Sequence, residues 1–546
     1  MKRLLTGTQM KQADTWSIQE FGMESLVLME RAALCAAQHI LSVRKPGKVF
    51  FLCGMGNNGA DGLAMARILS QNGWKIRIIA IGEMEKATSG WQYQKKLLDK
   101  MGIFVTLFSS GPSKKHEEKS EQSEMDLSEE KWKAKLVERY PAADVYVDAL
   151  FGIGLTREVT GIYRTAIEEW NTHKKECGAY GVAVDICSGV DAGSGKILGA
   201  CIQADVQITF GYGKVGQFVY PGAAAAKKTL ICDIGFPKEA ISHIDGQSFE
   251  SLEKEDVVRL LGKRCPWGNK GTFGRVVILA GSEGMAGAAY LSALAAYRTG
   301  AGLVDIVTLE CNRSILQQLL PEAVLHCISP VEQKWQLETL LNELFSKAKA
   351  IVIGPGLSTK SIADQLLDFV LEWNWLHGEN KECSIVIDAD ALNLLAARAQ
   401  TARASNKKVQ KLGKNVILTP HPGELGRLLG ISTKEAASNL IASAEALRKQ
   451  FGGICVCKDA RTVILTREYR YVNLTGNSGM ATGGSGDVLT GVIASLAAQG
   501  LSAQKAAVLG VWLHGAAGDE AAKEKSPYSM IARDLTDGLS KVLQRC

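Results

Sequence analysis

Proline is scarce in this chain, at twelve of 546 residues. That shortage excludes an extended Pro-rich or collagen-like protein. No Cys-x-x-Cys occurs among the thirteen cysteines, which are scattered singly apart from Cys455 and Cys457. Neither a zinc ribbon nor a disulfide framework fits, and free, buried thiols in a reducing cytoplasm are expected. No apolar run of about 18 residues is evident, so no membrane-spanning helix is expected. Met1 to Gln12 lacks the apolar core of a secretory signal. Charge of one sign is lacking too: 63 Lys and Arg face 57 Asp and Glu. A net +6 is too dilute for a nucleic-acid platform. What remains is 46% hydrophobic and 22% charged, an ordinary globular mix. Glycine is the one residue in excess, at 56. Glycine without proline suggests tight strand-to-helix turns rather than linkers.

Two halves repeat one grammar: a short apolar run, a glycine turn, then a helical stretch. In the first half the runs are Lys48 to Cys53, Lys75 to Ile81, Ile103 to Phe108, Val145 to Ala149, Gly181 to Ile186, Val206 to Phe210 and Thr229 to Asp233. Near-continuous β-branched runs are those of strands buried on both faces of a parallel sheet. The second half repeats the pattern from Arg275 to Leu465. The expectation is an α/β protein of two domains. Residues 1–240 form the first, 241–262 a linker and 263–546 the second. Ser109 to Lys135 is rich in Lys and Glu and reads as a solvated insertion.

The first strand ends in Gly54-Met55-Gly56-Asn57-Asn58-Gly59-Ala60-Asp61-Gly62. This G-x-G-x-x-G between strand and helix can face a phosphate with backbone N–H groups, or can serve strand–helix packing alone. Asn57, Asn58 and Asp61 are unusual for a dehydrogenase turn and suit hydroxyls, an amide or a hard cation. Two later strand ends carry similar equipment. One is Asp148 with the turn Gly152-Ile153-Gly154-Leu155-Thr156-Arg157-Glu158; the other is Asp185-Ile186-Cys187-Ser188-Gly189-Val190-Asp191. Carboxyl ends of parallel strands form a ligand crevice. There Asn58, Asp148 and Ser188 could converge as oxygen ligands, or each could merely cap its turn.

Near the end of the chain, Asn477-Ser478-Gly479-Met480-Ala481-Thr482-Gly483-Gly484-Ser485-Gly486-Asp487 precedes an apolar helix. Such a loop can wrap a polyphosphate, and Asp487 at the helix start can be a general base toward a hydroxyl. Companion strand ends are Ile353-Gly354-Pro355-Gly356, Asp388-Ala389-Asp390, Thr419-Pro420-His421-Pro422-Gly423-Glu424 and Lys458-Asp459-Ala460-Arg461-Thr462.

These segments carry a resemblance. The second half resembles the ADP/ATP-dependent NAD(P)H-hydrate dehydratases of the ribokinase-like superfamily. It shares Lys270 to Val276, Gly281-Ser282 with Gly287-Ala288, Gly354 to Leu357, Asp388 to Asn393, Thr419 to Glu424 and Thr482 to Leu489. The first half resembles NAD(P)H-hydrate epimerases through Leu28 to Ala32, Gly54 to Gly62, Asp148 to Arg157 and Asp185 to Asp191. Both halves in this order resemble the bifunctional NAD(P)H-hydrate repair family. The resemblance implies a Rossmann-like three-layer sandwich followed by a ribokinase-like α/β domain. It implies interconversion of the R and S hydrates of NADH and NADPH at a potassium-holding site, then nucleotide-dependent dehydration of the S hydrate. Asn57 to Asp61, Gly152 to Glu158 and Asp185 would hold the hydrate in the first domain. Asn58, Asp148 and Ser188 would lie on potassium, and Asp185 is favoured for proton transfer. In the second domain Ala288, Gly356, His421 and Asp487 would contact the hydrate. Lys458 to Thr462 and Asn477 to Gly486 would take ADP with Mg²⁺. Small-molecule substrates, no nucleic acid, no membrane and a homo-oligomer are expected. Ala60, Cys187 and Asp459 depart from the family pattern, where Gly, Pro and Gly are usual. The alternatives are a vitamin or sugar kinase fused to a dinucleotide-binding domain, and a non-catalytic NAD sensor.

Overall fold

The computed structural model describes residues 1–108, 136, 138–331, 333–377 and 383–546. The charged stretch 109–135 lies outside the described residues. The chain divides into two compact units, Arg3–Ser248 and Phe249–Cys546 with Met1–Lys2.

The first unit holds a parallel sheet of β1 (Lys48–Cys53), β2 (Lys75–Ile81), β3 (Val105–Phe108), β4 (Val145–Ala149), β5 (Tyr180–Val184), β6 (Ala204–Phe210) and β7 (Ala226–Cys232). Their spatial order is β3-β2-β1-β4-β5-β6-β7. The order reverses between β1 and β4, which opens a crevice beyond their carboxyl ends. Strand alternation explains the unbroken apolar runs. Val49, Phe51 and Cys53 enter one core, with α2 (Ser25–Val43) and α3 (Asn57–Gln71). Phe50 and Leu52 enter the opposite one, with α4 (Gly161–Glu176). The unit is therefore the expected three-layer sandwich.

The expectation of free thiols needs correction here, and one helix bears on the expectation that none spans a membrane. By length and mean hydropathy alone, α2 is the one described helix that could cross a membrane. Glu30, Arg31 and His39 interrupt its apolar run, and its Leu28, Met29, Ala32, Ala33, Ala36, Ala37 and Ile40 are buried in the core. Cys35 on α2 and Cys232 at the end of β7 form a disulfide, across a sequence separation of 197. Only tertiary packing brings such distant thiols together. The other eleven cysteines are free, and of these Cys177 and Cys311 are exposed rather than buried.

In the second unit β8 (Phe249–Ser251) is followed by β9 (Arg275–Leu279), β10 (Leu303–Leu309), β11 (Val324–Ile328), β12 (Ala350–Ile353), β13 (Ser384–Ile387), β14 (Leu412–Leu418), β15 (Gly452–Cys457), β16 (Val463–Leu465) and β17 (Arg470–Val472). They lie in the order β11-β10-β9-β12-β13-β14-β15-β16-β17-β8. β9 to β15 run parallel, and β16 pairs antiparallel with both β15 and β17. The core is built around α6 (Ala286–Arg298) and α8 (Ser485–Ala498). From Val488 to Ala498 every residue of α8 is buried, which fits a helix that is apolar all round. Residues 241–262, expected as a linker, hold β8 and α5 (Lys254–Leu261). Phe249 is fully buried, with the Arg470 guanidinium 5.6 Å from its ring centroid, and Val257 is fully buried too.

Candidate active sites

Beyond β1 and β4 of the first unit lies a cavity of about 730 Å³. The chain reaches it through tight glycine turns. A Cβ on Gly54 would stand 2.1 Å from the Leu150 carbonyl oxygen, and one on Gly59 would stand 1.9 Å from the Gly54 oxygen. Only glycine lets the β1 turn nest against the β4 turn. Asn57, Asn58, Asp61, Gly152, Ile153, Gly154, Leu155, Thr156, Arg157 and Asp185 all line the cavity, so the structure gathers those predicted residues. Gly59 and Ala60 instead pack into the turn, and Glu158 lies beside Gly199. Ala60 is helical and fully buried, so its extra methyl leaves the turn intact.

The cavity has a charged end. Asp185 follows β5 with φ +64. Its Oδ1 accepts from Lys214 Nζ at 2.5 Å, the Thr209 hydroxyl at 3.1 Å and the Phe210 N–H at 3.2 Å. Lys214 is 1% exposed. Asp61 is pushed well above the usual carboxylate range by burial, then by the negative charges of Asp185 and Asp14, against the pull of Lys214. Asp14, from α1 (Gly7–Gln19), is raised by burial and by Asp185. Lys214 and Asp14 escape sequence reading. Lys214 has a faint signal, the strand-end Gly211-Tyr212-Gly213-Lys214. Asp14, on a helix with no motif, has none.

Asn58, Asp148 and Ser188 meet around the backbone of Phe151. The Asn58 amide donates to the Phe151 carbonyl at 3.0 Å, and the Phe151 N–H donates to Ser188 Oγ at 2.8 Å. Ser188 then donates to Asp148 through its hydroxyl at 2.6 Å and its N–H at 2.8 Å. Burial raises Asp148 to about 6, against those hydrogen bonds. Its partners are all neutral. A fully buried carboxylate beside an amide, a hydroxyl and a carbonyl is a donor set that fits a hard monovalent cation. Cys187 is buried, with its thiol directed at the Ala225 carbonyl at 3.5 Å.

In the second unit the strand-end segments also converge. Lys458 Nζ pairs with Asp388 Oδ1 at 2.8 Å, and a Cβ on Gly486 would stand 3.1 Å from that Nζ. Asp487 is raised to about 7 by burial and by Asp388, with Lys458 opposing. The Lys458 N–H donates to the Pro420 carbonyl at 2.8 Å, which ties this strand end to the His421 turn. His421 caps α7 (Pro422–Leu429): its Nδ1 accepts from the Gly423 N–H at 3.0 Å, and its own N–H donates to Glu424 at 2.9 Å. Burial raises Glu424 to about 7. His421 is lowered by burial and by Lys458. Ala288 and Gly356 are neighbours: a Cβ on Gly356, at φ +56, would stand 2.9 Å from the Ala288 Cβ.

The glycine-rich loop is anchored at its base. Asp519 accepts from the Gly476 N–H at 2.9 Å and from the Asn477 amide at 3.1 Å. At its far end Ser292 of α6 donates to the Asp487 carbonyl at 3.0 Å. Between them Gly483 has open space where a Cβ would go, and Gly484 takes φ +90. Of the Lys458 to Thr462 turn, Lys458 faces inward, Asp459 and Ala460 are exposed, and Arg461 donates to the Leu474 carbonyl at 2.8 Å. The Lys458–Asp388 pair is absent from the sequence reading as a pair, because 70 residues separate its members.

Two parallel-sheet units, each with polar and glycine-rich turns gathered at its strand ends, define a two-site α/β enzyme. A family profile described as NAD(P)H-hydrate dehydratase matches residues 276–541, and one described as YjeF-related protein N-terminus matches residues 25–216. The bifunctional NAD(P)H-hydrate repair enzyme Nnr of Moorella thermoacetica is 33% identical over 99% of this chain and 96% of its own. That of Escherichia coli is 32% identical over 96% and 90%. An ADP/ATP-dependent NAD(P)H-hydrate dehydratase from Bacillus subtilis, co-crystallised with ATP and Mg²⁺, is 31% identical over 54% of this chain and 97% of that one, with a TM-score of 0.45. The chain belongs to the bifunctional NAD(P)H-hydrate repair enzyme family.

Proposed function

We propose that this protein repairs hydrated NADH and NADPH with two activities in one chain. Residues 1–240 act as an isomerase that interconverts the R and S hydrates. Residues 263–546 act as a lyase that dehydrates the S hydrate, with ADP or ATP as phosphoryl donor. The observation that carries this reading is Asp487 at the mouth of α8, behind a glycine loop and beside the Lys458–Asp388 pair. Family membership over the whole length supports it.

Hydroxide is a poor leaving group, and phosphorylation makes it a good one. Asp487 takes the proton of the ring hydroxyl as its oxygen attacks the terminal phosphoryl group. Phosphate then departs with the C–O electron pair, and loss of a proton from the adjacent carbon restores the ring double bond. Asn477 to Gly486 receive the polyphosphate on backbone N–H groups, with the start of α8 adding partial positive charge. Lys458 to Thr462 flank the nucleotide, which arrives with Mg²⁺. Ala288, Gly356 and His421 border the hydrate. In the first unit the hydrate lies in the cavity against Asn57 to Asp61, Gly152 to Glu158 and Asp185. Asn58, Asp148 and Ser188 would hold potassium, which would supply positive charge beneath that cavity. A reducing cytoplasm suits the eleven free cysteines.

The test uses the full-length protein. S hydrate with ADP or ATP should regain the near-ultraviolet absorbance of reduced nicotinamide, and R hydrate should do so through prior epimerisation. No recovery from the S hydrate with either nucleotide would sink the dehydratase reading. R hydrate consumed no faster than it epimerises spontaneously would sink the epimerase reading.

A further inference from the structure

The chemistry of the hydrate dictates what the epimerase cavity must contain, and the following rests on the epimerase reading above. Water adds to the ring double bond at the carbon bonded to nitrogen, because nitrogen stabilises positive charge there. Such a carbon can invert by ring opening. A base takes the hydroxyl proton, the C–N electron pair goes to nitrogen, and an acid protonates that nitrogen, leaving an open-chain aldehyde. The aldehyde rotates, both proton transfers reverse, and the ring closes in either configuration. One base and one acid suffice, and each ends the turnover as it began.

The cavity holds one of each. Lys214 Nζ spends its three N–H bonds on Asp185 Oδ1 at 2.5 Å, Thr209 Oγ1 at 2.8 Å and the Phe210 carbonyl at 3.1 Å. No donor remains for substrate, so Lys214 acts only through the protein groups around it, Asp185 first among them. Gln217 fixes the same residue by donating to the Asp185 carbonyl at 2.7 Å. Every hydrogen bond to the Asp185 carboxylate enters Oδ1. Among the described residues Oδ2 accepts none, and Asp185 lines the cavity. Asp61 lines it as well, from α3, with no hydrogen bond or ion pair to its carboxyl among the described residues. Burial and the neighbouring carboxylates favour its protonated form. Asp14 and Lys11 from α1, with Arg157 and Tyr163, are the other titratable groups on the lining. Two carboxyl groups in one cavity, one paired with an ammonium and one buried without a cation, are set for opposite roles.

We propose that Asp185 is the base and Asp61 the acid of a ring-opening epimerisation, with Lys214 the positioning residue that holds Asp185 by Oδ1 and leaves Oδ2 to the substrate.

The test follows R-to-S conversion by the full-length protein without nucleotide, so that dehydration is silent. Asp61→Asn and Asp185→Asn should each lower kcat by about 100-fold or more, with KM little changed. Either variant keeping kcat within about threefold of the unsubstituted protein overturns the assignment. Retained binding of the hydrate by the first unit shows that the loss is chemical. In the unsubstituted protein kcat should fall at alkaline pH as Asp61 loses its proton. The charge of Lys214 favours the ionised form of Asp61, so Lys214→Met should move that alkaline limb to higher pH. A limb that stays in place overturns the action of Lys214 on Asp61, and a Lys214→Met kcat within about threefold of the unsubstituted protein overturns its positioning of Asp185. In ¹⁸O-labelled water the hydroxyl oxygen should be retained through a single turnover, and its complete exchange within that one turnover overturns ring opening. Should the unsubstituted protein fail to convert the R hydrate, the epimerase reading itself fails. A competent parent with a competent Asp61→Asn variant overturns only the present proposal.

Discussion

Asp487 must accept a proton near neutrality, and its surroundings have moved it there. Burial removes water from the carboxylate, Asp388 repels its charge, and together they raise it to about 7. Only the ionised form can take the hydroxyl proton, so dehydration should accelerate as pH climbs through about 7. Asp487→Asn should cut kcat by about 10²–10⁴-fold and erase that limb. Lys458 opposes the upward shift. Lys458→Met should therefore carry the limb to higher pH, and it should also destabilise the second unit by about 3–5 kcal/mol, because Asp388 is left buried and unpaired. Both effects are read from a pH–rate profile and a denaturant titration of the full-length variants. A pH profile unmoved in Lys458→Met would show that Lys458 does not act on Asp487.

Helices and turns decide which glycines serve packing and which serve ligand. A Cβ on Gly491 would stand 2.0 Å from the Ser292 carbonyl oxygen, where α8 crosses α6. Backbone cannot yield there as a flexible side chain can. Gly491→Ala should destabilise the second unit by about 1–3 kcal/mol or more, seen as a lowered unfolding midpoint. Gly483, in the loop before α8, meets nothing within 4 Å, and no positive φ forbids a side chain there. Gly483→Ala should leave the midpoint unchanged and raise the nucleotide KM several-fold, because its methyl occupies space offered to phosphate. Equal midpoints for the two variants would refute the distinction. At this scale the pattern of short apolar runs foretells the strands closely, with Lys48–Cys53 and Lys75–Ile81 matched to the residue. The short strands Phe249–Ser251 and Arg470–Val472 went unread, because three residues carry too little periodicity.

At the scale of the whole molecule, the buried oxygen cluster of the first unit couples folding stability to the ions in solution. Asp148 is fully buried with neutral partners, so a monovalent cation should stabilise the folded unit. Replacing potassium by tetramethylammonium should lower the unfolding midpoint of the parent protein, by a free energy of about 1–3 kcal/mol at saturating salt. Asp148→Asn should remove that dependence. A midpoint indifferent to the cation in the parent would remove potassium from the site.

Sequence alone determined the class of fold, the strand-end motifs and the family. All of these rest on local features: runs of apolar residues, glycines at turns, and a carboxylate placed just beyond a strand. It also pointed to Asp487, whose role follows from its position after a glycine loop. Tertiary structure decided the rest, because the rest depends on residues far apart in the chain. Lys214 meets Asp185 across 29 residues, Lys458 meets Asp388 across 70, and Cys35 meets Cys232 across 197. Charge partners act on one another through distance and burial. Neither quantity is written in a sequence until the sheets bring the strand ends together.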